Sequence, residues 1–89
     1  MKNQSAFQIY SLSHCPYCLR AKQLLNQEGL QFHETVIADD DINGRSELFN
    51  RTGMKTFPQI FFKDEVIGGF SDLKNIFDQN GFEQFRKNQ

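Results

Sequence analysis

Two spacings of apolar residues alternate along the chain. Residues 7–10 form a short apolar–aromatic run that predicts a first strand. Pro16 then suits the first turn of a helix, where its missing N–H is no loss. Tyr17, Cys18, Ala21, Leu24 and Leu25 recur at helical spacing, and Gly29 is a natural C-terminal cap. These signals predict a helix over residues 16–28.

Phe32 to Ile37 reads as a second strand centred on Val36 and Ile37, and a second helix is expected after Asp39-Asp40-Asp41, stopping at Gly53. Gln59-Ile60-Phe61-Phe62 and Glu65-Val66-Ile67 bracket Lys63-Asp64, a two-residue connection that suits a β-hairpin. Gly68-Gly69 breaks the pattern, Leu73, Ile76 and Phe77 mark a third helix, and Phe82 and Phe85 suggest one more helical turn. The order is β-α-β-α-β-β-α. A βαβ unit gives parallel neighbours and the closing hairpin adds an antiparallel strand. The expected class is therefore α/β, a four-stranded mixed sheet flanked by helices. No Pro/Ser-rich linker, repeat or low-complexity tract interrupts residues 1–89, which are read as a single domain.

Composition narrows the function. A chain of 89 residues buries about 60–65% of its unfolded surface, so the core is modest and the ten Phe residues, with no Trp, are expected to supply much of it. Hydrophobic residues at 38% and charged residues at 24% describe a globular chain that is neither disordered nor membrane-bound. A net charge of -1 gives no long-range attraction to nucleic acid or an anionic membrane. The acidic run 39–41 reads as a solvated turn into a helix, because acidic side chains favour helix starts. The first ten residues lack the apolar stretch of a signal peptide, and no segment approaches the ~18 apolar residues of a membrane span. A cytoplasmic, reducing compartment is the expectation. There, two cysteines three positions apart point to catalysis or metal binding.

Cys15-Pro16-Tyr17-Cys18 sits where the first strand hands over to the first helix. Residues three apart on a helix share a face, so the two sulfurs can meet and form a disulfide. Cys15, at the helix start, lies near unpaired backbone N–H groups and the positive end of the helix dipole, which together favour a thiolate. Cys18, one turn inside, is shielded and suits the resolving role. The rival is half of a zinc site, which needs four ligands. The chain offers two Cys and two His, and His14 abuts Cys15 rather than standing at zinc spacing. A purely structural disulfide would close too small a loop to stabilise much. His33, in or beside a strand, reads as structural.

The Cys-Pro-Tyr-Cys segment after an aromatic-ended strand resembles the active site of dithiol glutaredoxins, whose fold is thioredoxin-like. The likeness continues in Thr56-Phe57-Pro58-Gln59-Ile60-Phe61, similar to the family's Thr-Val-Pro segment, and in Gly68-Gly69-Phe70-Ser71-Asp72, similar to its glutathione-binding turn. It spans residues 7–77 with three motifs in order. The resemblance implies a glutathione-dependent thiol–disulfide oxidoreductase with Cys15 as nucleophile and Cys18 as resolving thiol. It implies a cis Pro58 against the cysteines and a Phe57 backbone that takes the cysteine part of glutathione as a short added strand. Ser71 and Asp72 would hold the γ-glutamyl end, Lys55 the glycine carboxylate, and Tyr17 would flank the tripeptide.

Two positions depart from the pattern. Leu12 stands where many relatives carry Lys, which removes one contact to the glycine carboxylate, and Phe57 stands where Val is usual. Glutathione is expected as co-substrate, with no permanently bound cofactor or metal. The expected partners are disulfide-containing or glutathionylated proteins, with ribonucleotide reductase a family-level candidate, and a monomer is the default. Two other readings are a hydrogen donor reduced by thioredoxin reductase, which Leu12 favours mildly, and a dimeric iron–sulfur cluster carrier ligated by Cys15 and glutathione. Pro16 argues against the second.

Overall fold

Strand β1 (Phe7–Leu12) shows why the sheet forms where it does: Phe7, Ile9 and Ser11 point to one face and are fully buried, while Gln8, Tyr10 and Leu12 point to the other. The computed structural model describes residues 6–86. Around β1 follow α1 (Pro16–Gln27), β2 (Phe32–Ile37), α2 (Ile42–Thr52), β3 (Gln59–Phe62), β4 (Glu65–Gly68), α3 (Phe70–Asn80) and a short α4 (Glu83–Arg86). The sheet order is β2-β1-β3-β4. β1 runs parallel to β2, with Ile9 opposite Glu34, and antiparallel to β3, with Ile9 opposite Ile60. β3 and β4 are antiparallel, as the hairpin reading requires. Lys63 and Asp64 both take positive φ, 50° and 70°, the backbone that matches a two-residue turn to the twist of its strands.

The main core lies on one face of the sheet. There Phe7, Ile9, Ile60 and Phe62 pack with Ala21 and Leu25 of α1, Leu73 of α3, and Phe82 and Phe85 at the C-terminal turn. The phenylalanines carry it, as expected. Phe7, Phe62 and Phe85 form a triangle with ring centroids 4.6–5.0 Å apart, in tilted or edge-on contact. A smaller cluster on the other face joins Ile37 and Phe61 to Leu48 of α2, with Tyr10, Leu12 and Phe57 against it. Position 12 is thus a packing position, which leucine fills.

The ends of α2 follow the sequence closely. The acidic run is its entry: Asp41 accepts the Gly44 N–H at 2.9 Å. Gly53 closes it at φ 74°, donating to the Phe49 carbonyl at 2.7 Å. Elsewhere the boundaries move slightly. β1 continues through Ser11 and Leu12, and α1 ends at Gln27 with Glu28 as its cap. β4 takes in Gly68. Among the described residues, no helix is long and apolar enough to cross a membrane.

Strand directions set the position of the site. Because β3 is antiparallel to both its neighbours, the C-terminal ends of β1 and β4 and the N-terminal end of β3 lie along one edge. Cys15, Pro58 and Ser71 each follow or precede one of those ends in the chain.

Candidate active site

Cys15 is the N-cap of α1, with extended backbone (φ −131°, ψ 102°) and Pro16 in the first turn. Its sulfur takes the place an N-cap oxygen usually holds, accepting the Cys18 backbone N–H at 3.2 Å. On its other side the thiol donates to the Phe57 carbonyl at 3.6 Å, a contact that joins α1 to the loop before β3. The Phe57–Pro58 bond is cis, as the family likeness implied. The two sulfurs are not joined by a disulfide, and they differ sharply in exposure. Cys15 is half-buried, whereas Cys18 is 2% exposed. Burial pushes the Cys18 thiol up to about 12, and the hydrogen bond with the Cys15 sulfur adds to this. One sulfur can be reached and held by a backbone donor; the other is kept as a neutral thiol beneath it.

Phe57, whose carbonyl meets the Cys15 sulfur, also lines an open hollow of about 490 Å³, together with Tyr17, Pro58, Phe70, Ser71 and Asp72, among others. The hollow has the size of a small-molecule site. The structure thus brings together five of the expected binding residues: Tyr17, Phe57, Pro58, Ser71 and Asp72. Tyr17 is 55% exposed, its ring 6.0 Å from that of Phe70 and with the Arg20 guanidinium 5.3 Å away. Asp72 also caps α3, its carboxylate accepting the Gly69 N–H at 2.9 Å. Gly68 sits close against that carboxylate: a Cβ there would fall 2.3 Å from Asp72 Oδ2.

Lys55 does not line this hollow. Its ammonium lies 5.6 Å from the Phe49 ring and borders an adjoining hollow of about 320 Å³ with Arg45, Phe49, Met54 and Phe57. The two hollows share Met54 and Phe57, so Lys55 stands one step further along the same surface. Arg45 was not visible from the sequence. Its Nη2 donates to the Asp39 carbonyl, while its Nε is buried with no partner among the described residues. Only its spacing to Phe49, one turn along α2, could have singled it out, and that needs the orientation of the helix first.

The loop that carries Lys55 to Pro58 is held from within by Gln59, which is 1% exposed. Its Nε2 donates to the Met54 carbonyl at 3.0 Å and the Thr56 carbonyl at 3.2 Å, and its Oε1 lies 3.0 Å from Thr52 Oγ1. His14 is exposed beside Cys15, and His33 is exposed on β2. Among the described residues, no three His, Cys, Asp or Glu side chains gather as a metal site would need.

A reachable sulfur at a helix N-terminus, a buried partner thiol one turn on and a cis-proline whose preceding carbonyl meets the first sulfur define a thiol–disulfide oxidoreductase of thioredoxin-like fold. The glutaredoxin family model matches residues 7–67, and the chain belongs to the glutaredoxin family. It is 40% identical over 80 residues to glutaredoxin 3 of Escherichia coli K12, covering 90% of this chain and 95% of that one. The solution structure of glutaredoxin from Brucella melitensis is 37% identical, with a TM-score of 0.76, covering 91% of this chain and 87% of that one. The buckwheat glutaredoxin–glutathione complex superposes with a TM-score of 0.78 at 25% identity, over 86% of this chain and 72% of that one.

Proposed function

We propose that the chain is a glutathione-dependent thiol–disulfide oxidoreductase of a cytoplasmic, reducing compartment, acting on glutathionylated proteins and on protein disulfides. One observation carries this reading: the reachable Cys15 sulfur touches the carbonyl of Phe57, and Phe57 lines a hollow whose far end, at Ser71 and Asp72, pairs backbone N–H groups of a helix start with a carboxylate. That pairing suits the carboxylate and ammonium of a γ-glutamyl group. Past Met54 and Phe57, in the adjoining hollow, the positive charges of Arg45 and Lys55 suit the terminal carboxylate of a tripeptide. These two cations take over the contact that Leu12 cannot make. The buckwheat glutaredoxin–glutathione complex supports the same ligand.

The chemistry follows from the difference between the two sulfurs. The Cys15 thiolate attacks the glutathione sulfur of a mixed disulfide, the target leaves as a thiol, and a second glutathione removes the glutathionyl group as glutathione disulfide. With a protein disulfide, Cys15 forms a mixed disulfide with the target. Cys18 then attacks the Cys15 sulfur, frees the target and leaves a Cys15–Cys18 bond that two glutathiones reduce.

The test is NADPH-coupled reduction of a glutathionylated peptide by glutathione and glutathione reductase, comparing wild type, Cys15→Ser and Cys18→Ser. Activity in wild type and Cys18→Ser, with none in Cys15→Ser, is the expected result. Silence in well-folded wild type overturns the glutathione reading and leaves reduction by thioredoxin reductase as its successor.

A further inference from the structure

Resolution of a protein mixed disulfide asks more of Cys18 than the first attack asks of Cys15. Cys18 must lose its proton and carry negative charge while almost wholly buried. Burial and the Cys15 sulfur oppose that charge, whereas the Leu12 backbone and, to a smaller extent, the Lys22 ammonium favour it. Lys22 is one helical turn beyond Cys18 and lines the same hollow as both cysteines and His14.

The Lys22 ammonium is fixed in place. It lies 2.9 Å from Glu34 Oε2 on β2, and the same oxygen accepts the Ser11 hydroxyl at 2.5 Å. Ser11 is 1% exposed, and the Lys22 and Glu34 side chains are about a quarter exposed, at 27% and 26%. Three elements thus meet in one chain of contacts, Ser11–Glu34–Lys22, that ends at the hollow Cys18 also lines. A salt bridge that only tied α1 to the sheet would need Glu34 and Lys22; it would not need the lysine to border the cysteine hollow.

We propose that Lys22, held by Glu34 and Ser11, is a positioning residue for the resolving step, its ammonium stabilising the negative charge on the Cys18 sulfur as it attacks Cys15. The inference rests on the dithiol branch proposed above. In that step the Cys18 proton passes to water, the Cys18–Cys15 bond forms, and the bond from Cys15 to the target sulfur breaks. The target leaves as a thiolate that takes up a proton, so electrons and protons balance with no further reactant. The lysine lowers the cost of the charge, which burial otherwise raises.

Exchange kinetics set the upper scale of the effect. Even a tenfold loss of Cys18 thiolate would leave the remaining thiolate about threefold more nucleophilic, so resolution would slow by only about threefold. The experiment uses the full chain and a peptide carrying one internal disulfide. Acid quenching at successive times, followed by mass spectrometry, separates formation of the Cys15 mixed disulfide from its resolution. Lys22→Met is expected to lower the ratio of resolution rate to attack rate by up to about threefold, and Lys22→Arg to restore it. Thermal unfolding of each variant establishes that the fold is intact. Equal ratios in wild type and Lys22→Met overturn the proposal. Equal loss in Lys22→Met and Lys22→Arg also overturns it, because a shape requirement and not a charge would then be at work. Wild type that forms the mixed disulfide and never resolves it refutes the dithiol branch itself, a different failure from either of these.

Discussion

Gly68 offers the sharpest test of how the turn before α3 is built. Its φ of 127° lies where side chains are strongly disfavoured, and a Cβ would sit 2.3 Å from Asp72 Oδ2 and 2.7 Å from its Cγ. Gly68→Ala therefore carries two costs. Holding a non-glycine residue in that backbone costs about 1–3 kcal/mol. Displacing the Asp72 carboxylate loses the hydrogen bond from the Gly69 N–H, a cap worth about 1 kcal/mol. The sum, about 2–4 kcal/mol, corresponds to a fall in Tm of roughly 10–25 °C for a chain of this length. Urea denaturation of the alanine variant measures it. The double variant Gly68→Ala/Asp72→Ala removes the clash while keeping the backbone cost, so its loss should fall about 1 kcal/mol short of the sum of the single variants. A loss below about 0.5 kcal/mol in Gly68→Ala refutes the argument, because that is the range of an ordinary surface substitution. Strict additivity would refute the clash alone and leave the backbone cost standing.

Two further outcomes follow from the charges and exposures described above. Iodoacetamide near neutral pH should add one group per chain, at Cys15, because Cys18 is buried and its thiol is pushed up to about 12; full denaturation should admit the second, and mass spectrometry of the peptides checks both. Glu34 is held below the usual carboxylate range, first by the Ser11 hydroxyl and then by Lys22. Its stabilising effect is present above the unfolded-state value and lost as pH falls through the folded one. Glu34→Gln should thus be less stable than wild type at neutral pH, with the gap closing in acid; a gap unchanged down to strongly acidic pH would contradict the charge assignment.

Local signals marked most elements well. Asp41 and Gly53 announce the two ends of α2 through chemistry contained within a few residues, and the Lys63-Asp64 connection needs only its flanking apolar runs. The last two residues of β1 were less legible, because Ser11 interrupts the apolar run. The structure accepts a buried serine there by giving its hydroxyl to Glu34, a residue 23 positions away. Separation along the chain likewise hid the pair Lys22–Glu34, 12 positions apart, whereas Arg45 needed the orientation of α2 on the sheet. Lys55 shows the opposite case: family likeness identified the residue, but its position over Phe49, outside the Tyr17–Asp72 hollow, depends on how α2 lies on the sheet. Motifs locate the cysteines and the two turns because each is short and contiguous, whereas the cations around them are set by packing.

Gln59 has a thermodynamic consequence. Its buried amide closes on the carbonyls of the loop it follows, so the residues before Pro58 are ordered when the chain folds and not when a ligand arrives. Fixing one residue's backbone costs about 1–2 kcal/mol in conformational entropy, and a loop of several free residues would charge that loss against every encounter. With the ordering already done, a few contacts suffice for recognition, and release needs no slow rearrangement of the loop. A catalyst that must meet a disulfide, exchange with it and let go again is served by a mould that is cast once, from inside, by a side chain the substrate never touches.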